Sequence, residues 1–527
     1  MQASPARRFY PRAWENRLPV SHPDIRAIRG KFFKAALINF WLILLLFFGL
    51  FCYLFASLYH EGRRAHNLNV LWVDYDGGVI GEAVRNAYQR LKSDGFPNLI
   101  ERSTRDFPLE RDVRRAVCKT DYWAALYTSP GASDRLGLAI SGANASRYNA
   151  SDVLSFIWNE AKYPTIVDSL VSSNLHTLSD AARVAYVALN GSSALSTLPP
   201  NNGAALSTFA NPWTLSSSDI QPTAQGTRTV YNTIVIVLVL IQDFFFLATL
   251  NALYGEFKVY TRISPVRIIL VRDIISILFT MLGSLLLTCA IWAFRDGWNV
   301  SGAQFALTWL ILWLFAHVNF LMLDIFTIWL PVQFVPMALI TWVVINVTSI
   351  ILPFALSPSF YYWGYVLPAH NVYEALIDIW SSGCNPHLHR ALPILFAYEV
   401  NGIFWTALGV YKRCHGAVII EETNREAMRM RIETALRIER QGEEQRLREE
   451  CSEKSAQDDE AGTSSATGRQ AGKMEEEPPS RRRAEDGRAQ IESDLENVTS
   501  RIERMETRAR RMANTGPSFY LVGSRNE

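Results

Sequence analysis

Apolar residues along this chain are gathered into long blocks, and the blocks are what first organise it. Residues 35–59 carry no charge and are long enough for a helix to cross a hydrocarbon core, which takes about 20 residues. Further blocks cover residues 231–254, 274–294, 303–356 and 391–411. The 303–356 block is too long for one crossing at about 1.5 Å per residue, and Pro331 beside Gln333 breaks it, so it is read as two spans. The pattern therefore predicts a polytopic α-helical membrane protein with six transmembrane helices, one near the start and five in a later bundle.

Between the first two spans the pattern changes. In residues 60–228, the run Asn69 to Asp76 reads as a buried strand, Gly77-Gly78 as a turn and residues 81–91 as an amphipathic helix. A second strand is predicted at 121–128 and helices at 151–171 and 179–189. The Ser-, Pro- and Asn-rich stretch 190–226 resembles a tether. Together these predict an α/β domain inserted in the helical chain. The division is then a 1–34 leader, span one at 35–59, the domain at 60–228, the five-helix bundle at 229–411 and a tail at 412–527.

Charge gives the orientation. Arg26, Arg29, Lys31 and Lys34 precede span one, Lys258, Arg262, Arg267 and Arg272 lie between spans two and three, and Lys412 and Arg413 follow span six. By the positive-inside rule both termini are cytosolic and the α/β domain exoplasmic. Glycosylation triplets at Asn144, Asn149, Asn190 and Asn299 fall on the side so predicted to be outside, which points to the plasma membrane or another secretory-pathway membrane. The segment 260–272 reads either as an interfacial elbow or as a plain basic connector, and residues 361–380 as an aromatic-rich loop dipping to the interface. A net charge of +2 gives no footprint for nucleic acid, and membrane lipids are the expected surroundings.

Candidate chemistry is sparse. Six cysteines show no metal-ligand spacing; Cys118 and Cys384 alone fall in predicted exoplasmic segments, where they either pair or coincide by chance. No catalytic constellation, metal set or cofactor motif is recognisable, so no enzyme activity and no cofactor are expected. Asp74, Asp76, Gly77 and Gly78 match neither a phosphate loop nor a calcium loop and read better as a helix-capping strand-turn. Inside the spans, Gln242, Asp243, His317, Asn319 and Asp324 are the costly polar groups. They read either as a polar path for substrate or protons or as interhelical hydrogen bonds, the latter favoured for Asn346. In the tail, 421–453 alternates charge at helical spacing and about 455–487 is predicted disordered. Ile491, Leu495, Val498, Ile502, Met505, Ala509 and Met512 form a heptad seam, so a short coiled coil at about 488–513 is expected to support self-association.

Several of these segments resemble a fungal membrane family associated with nitrosoguanidine resistance, whose shared domain is of unknown function. They include Asn69-Val70-Leu71-Trp72-Val73-Asp74-Tyr75-Asp76-Gly77-Gly78, Asn159-Glu160-Ala161-Lys162-Tyr163-Pro164, Gln242-Asp243-Phe244-Phe245-Phe246 and Pro368-Ala369-His370-Asn371. The architecture is more distantly similar to the membrane half of ABC-2 type export permeases, which normally use a nucleotide-binding partner. No GxxxxGK[ST] motif occurs in this sequence. The resemblance implies a transporter or permease-like protein for hydrophobic small molecules or lipids that contributes to drug resistance. The alternative is a non-transporting scaffold or receptor, with a ligand-binding exoplasmic domain and a partner-binding tail.

Overall fold

The structure is a computed structural model that describes residues 22–143, 145–223, 234–295, 298–460, 493 and 495–509. It opens with the helix α1 (Pro23–Leu58), and a short 3-10 turn (Glu61–Asn67) leads into the α/β domain.

The domain follows from strand β1 (Asn69–Asp74), whose residues are apolar on both faces. Val70 and Trp72 enter one core and Leu71 and Val73 another, as a strand covered on both sides requires. After β1 come α2 (Val79–Leu91), β2 (Asn98–Arg102), α3 (Glu110–Cys118), β3 (Ala124–Thr128), α4 (Ala132–Ile140) and β4 (Leu154–Trp158). Next are α5 (Ser173–Thr197), α6 (Gly203–Ala210) and β5 (Ser216–Asp219). The sheet order is β2-β1-β3-β4-β5, parallel except for the antiparallel β3–β4 pair, with Val70 opposite both Leu99 and Ala124. Helices α2, α4 and α5 cover one face through Val84, Leu136 and Leu178; α3 covers the other through Val113 and Val117.

Two expectations are corrected here. The helix predicted at 151–171 is strand β4, a tight turn and a wide π turn (Val167–Ser172); a five-residue run with four apolar side chains suits either element, and pairing with β3 decides for a strand. The predicted tether at 190–226 instead holds the end of α5, then α6 and β5 as far as residue 223; its last residues lie outside the described ones. Strand β5, Ser-Ser-Ser-Asp, has no apolar signal and is held by backbone pairing to β4.

The remaining helices are α7 (Val235–Glu256), the single turn α8 (Val259–Arg262), α9 (Pro265–Ala293), α10 (Gly302–Trp329) and α11 (Val335–Ile351). Then come a 3-10 turn (Ser359–Val366), α12 (Pro368–Trp380) and the 73-residue α13 (Leu388–Glu460). Five helices, α1, α7, α9, α10 and α13, are long and apolar enough to cross a membrane, and this is an integral membrane protein by that criterion. The break at Pro331 is present, but α11 has 17 residues, short of the length predicted for a span. The elbow at 260–272 is not a separate element, because α9 takes in Arg267 and Arg272. The aromatic loop at 361–380 is the 3-10 turn followed by α12, most of whose side chains are buried. In the tail, α13 runs on through Glu460, past the predicted start of disorder, and 461–487 lies outside the described residues.

The chain divides into two compact units. One is Met1–Phe244 with Phe279–Phe320 and Val332–Val400; the other is Phe245–Leu278 with Leu321–Pro331 and Asn401–Glu527. In the first, the α/β domain shares a core with membrane helices, since Tyr163 packs in one cluster with Val239, Phe315, Tyr373 and Leu395. A disulfide between Cys118, at the end of α3, and Cys384, after α12, ties the same parts covalently.

Candidate functional site: a cavity lined by the α/β domain and helices

A cavity of about 420 Å³ lies in the first unit, within the range of small-molecule sites. The α/β domain supplies Trp123, Lys162 and Tyr163; the chain after α11 supplies Pro353, Phe354 and Ala355; α12 supplies His370 and Glu374; the loop before α13 supplies His387; and Arg390 and Ile394 come from the start of α13. Its walls are aromatic and its floor is polar.

The floor is organised around Glu374. Its Oε2 accepts from Asn385 Nδ2 at 2.7 Å and lies 2.7 Å from His387 Nδ1, while Oε1 is 3.9 Å from His370 Nε2. Burial pushes this carboxyl up, but the His387 hydrogen bond, the nearby His370 and Lys162 charges and the Asn385 amide outweigh it and hold the group down to about 2. Burial also lowers the His370 imidazole, against the pull of Glu374. His370 Nδ1 is 3.3 Å from the Ser349 carbonyl, and the ring lies tilted against Phe354 and edge-on to Tyr365.

The loop after β4 presents Lys162 and Tyr163. The Lys162 ammonium lies 4.2 Å from the Trp123 ring centre, and burial lowers its pKa although Glu374 acts to raise it. Tyr163 has a left-handed backbone, φ 55°, a conformation that costs a non-glycine residue about 1–3 kcal/mol. Its N–H donates to the Tyr373 hydroxyl at 3.1 Å, and its own buried hydroxyl has no partner among the described residues. The loop carrying Asn385 and His387 is anchored to the domain three ways: by the Cys118–Cys384 disulfide, by Asn159 Nδ2 donating to the Cys384 carbonyl at 3.3 Å, and by Thr120 Oγ1 at 3.3 Å from His387 Nε2.

Each candidate from the sequence has a definite place. Asp74 Oδ1 accepts from Gly77 N at 2.9 Å and Thr128 Oγ1 at 2.7 Å, and its Oδ2 pairs with Arg85 at 2.8 Å. Asp76 accepts from the backbone and hydroxyl of Ser133. Gly77 has φ +63°, and a Cβ on Gly78 would come within 2.5 Å of Ser133 Oγ, so both glycines serve the turn. Asn149 and Asn299 are exposed, and Asn190 is half-buried in α5 with its amide donating to Tyr186 Oη. Asn144 lies outside the described residues.

In the helices of the first unit, Gln242 packs on Gly283, where a Cβ would come within 2.4 Å of its amide. Asp243 is buried, and its Oδ2 has no partner among the described residues. His317 Nδ1 is 2.5 Å from Glu399 Oε1, a carboxylate missed in the sequence because it lies within an apolar block. Asn319 accepts from Trp342 Nε1 at 3.1 Å, and Asn346 accepts from Ala369 N at 3.2 Å at the start of α12.

In the second unit, Asp324 is the centre of a buried ion cluster. Arg272 grips it from Nε at 3.0 Å and from a terminal nitrogen at 2.7 Å, and Arg413 adds a bond at 3.1 Å. Asn251 accepts from both arginines, Thr327 accepts from Arg413 at 2.6 Å, and Tyr260 Oη accepts at 3.1 Å. Arg272 and Arg413 are two of the basic residues that charge counting alone assigns to flanking loops. In the tail, the described residues 495–509 are helical, and Leu495, Val498 and Ile502 share a groove with Ala435 and Ile438 of α13.

These features define a helical integral membrane protein with an inserted α/β domain. Residues 39–404 match the family described as "Protein of unknown function (DUF3533)", and the chain belongs to that family. No solved structure matches it.

Proposed function

We propose that this is a permease-like membrane protein that binds and moves amphiphilic small molecules or lipids and so contributes to resistance to toxic compounds. The observation that carries the proposal is the cavity, which joins aromatic walls to a charged floor and is built jointly by the α/β domain and the helices packed on it. The resemblance to the nitrosoguanidine-resistance family and to ABC-2 type permeases supports the same reading. Two of the segments that carry the first resemblance, residues 159–164 and 368–371, supply Lys162, Tyr163 and His370 to the cavity. The buried His317–Glu399 pair and Asp243 are the groups for a polar path through the bundle.

The topology proposed with this function has six crossings, counting the helical run from Val332 through Ile351 as the fifth, with an exoplasmic α/β domain and both termini in the cytosol. The membrane is the plasma membrane or another of the secretory pathway, with glycans on Asn149 and Asn299 foremost. Glycosylation at Asn497 would place the tail outside and overturn the count.

Purified protein in proteoliposomes, loaded with a panel of fluorescent amphiphiles, should show flux above that of empty vesicles. Binding without flux would favour the receptor or scaffold reading, which the long α13 and its packed tail helix support. Self-association through the seam would require its release from α13. Deleting residues 487–513 without changing the oligomeric state would remove that idea.

A further inference from the structure

The cavity holds an imbalance that indicates what it binds. Its one carboxylate is engaged, because Glu374 is bonded by Asn385 and His387 and faced by His370. Its donors are not. The Lys162 ammonium lies on the Trp123 ring and feels Glu374 as a nearby charge without a hydrogen bond or ion pair to it, Arg390 is exposed at the lining with no side-chain hydrogen bond or ion pair, and the Tyr163 hydroxyl is buried without a partner, all among the described residues. A buried donor left unbonded costs about 1–3 kcal/mol, so a ligand acceptor there recovers what the protein has not used. A cationic ligand would have to displace Lys162 from the aromatic face and compete for a carboxylate already bonded.

We infer that the cavity takes an anionic amphiphile, with a carboxylate or phosphate head held by Lys162, Tyr163 and Arg390 and a short apolar chain against Phe354 and Ile394. The inference rests on the cavity that carries the permease reading and names its substrate class. Arg390 supplies a planar fork suited to an oxyanion and Lys162 a point charge. Tyr163 contributes one neutral bond at a fixed place, because its backbone is held by Tyr373.

The test is calorimetric titration of the full-length protein in nanodiscs of zwitterionic lipid, with octyl phosphate, octanoate, octanol, inorganic phosphate and octyltrimethylammonium as probes. Octyl phosphate and octanoate should bind, with octanol and inorganic phosphate weaker by about tenfold or more, since each lacks one half of the ligand. Lys162→Gln and Arg390→Gln should each weaken octyl phosphate by about tenfold, the scale of one charge-assisted bond. Tyr163→Phe removes one oxygen that bonds nothing among the described residues and should cost several-fold in binding with a melting temperature no lower than that of wild type, so it decides the matter if Lys162→Gln fails to fold.

Tighter binding of octyltrimethylammonium than of octyl phosphate would overturn the inference, as would wild-type titrations from both Lys162→Gln and Tyr163→Phe. Inorganic phosphate binding as well as octyl phosphate would overturn the amphiphile half and leave a plain anion site. Competition from nanodiscs enriched in anionic lipid would support a bilayer source for the head group, and unchanged affinity would support a soluble amphiphile. Octyl phosphate binding without its flux through proteoliposomes overturns the permease reading alone, whereas flux of neutral amphiphiles without anion binding overturns only the inference drawn here.

Discussion

Glu374 and Asp324 are both buried carboxylates surrounded by nitrogen, yet they are built for different ends. Asp324 is held by two guanidiniums, which cannot give up their protons, and both arginines bond further to Asn251. Glu374 is held by two histidines and an asparagine, with Lys162 near it in charge but not bonded to it and Arg390 at the same cavity unpaired among the described residues. Charges that bind one another make a strut; charges left over around an empty volume make a binding site. The contrast lies in how many donors are engaged, and it is testable through what each carboxylate is worth to the fold.

The largest effect is expected at the strut. Asp324→Asn leaves Arg272 buried and charged with its chief partner gone, and breaking a buried pair in this way costs about 3–5 kcal/mol. The detergent-purified variant should melt far below wild type or fail to accumulate. A melting curve like that of wild type would mean that Asn251 and Tyr260 suffice to hold both arginines, and the distinction between strut and site would lose its basis.

Next in size is the disulfide, which spans 266 residues and fixes the loop that carries Asn385 and His387. Replacing Cys118 and Cys384 by serine should destabilise by about 2–4 kcal/mol and also weaken octyl phosphate binding, since the cavity floor loses its anchor. A lower melting temperature with full binding would show that the bonds from Asn159 and Thr120 hold that loop in place alone.

Glu374→Gln gives the direct comparison with Asp324→Asn. The partners of Glu374 are imidazoles and Lys162 borders a cavity, so no guanidinium is stranded as Arg272 would be. The loss should stay near the value of hydrogen bonds to a charged group, about 1.5–3 kcal/mol, and clearly below that of Asp324→Asn in the same melting assay. Equal losses would erase the distinction between the two clusters.

Much of this architecture is legible in the order of residues. The apolar blocks locate the membrane helices, and the strand-turn-helix from Asn69 to Leu91 is readable because a doubly buried strand, a Gly-Gly turn and an amphipathic helix each leave a local mark. What is not legible depends on distant partners. Leu154 to Trp158 is a strand only because Ala124 to Thr128 lies beside it, and Ser216 to Asp219 only because β4 does. Arg272 reads as a loop cation until Asp324 takes it into a helix. The cavity is the extreme case, since Lys162 and Glu374 lie far apart in the chain and no spacing rule connects them. Only the quoted segments 159–164 and 368–371 mark its two walls in advance.

The smallest effect concerns the loop that presents Lys162, and it appears as a pH dependence. Two residues before Lys162, Glu160 forms a carboxyl pair with Asp219: its N–H donates to Asp219 Oδ1 at 3.0 Å, and the two side chains share a hydrogen bond that needs one proton. Burial raises the Asp219 carboxyl, the Glu160 side chain adds to this, and with backbone N–H groups opposing the result is about 7. A carboxyl raised in the fold binds more protons there than in the unfolded chain, between its ordinary value near 4 and about 7. Its stabilisation is therefore complete at the acid end of that window and is lost as pH rises through it. His370, lowered by burial, has the opposite slope across the upper part of the window, and Glu374, held down to about 2, loses its contribution only in stronger acid. The informative quantity is then the difference between wild type and Asp219→Asn, which keeps the hydrogen bond without the titration. Wild type should lose melting temperature relative to the variant from pH 5 to pH 8, and its affinity for octyl phosphate should fall in parallel if the pair steadies the Lys162 loop. Parallel melting curves across that range would show that the pair carries no shared proton, and Lys162 would then owe its position to Trp123 and the Tyr163 backbone alone.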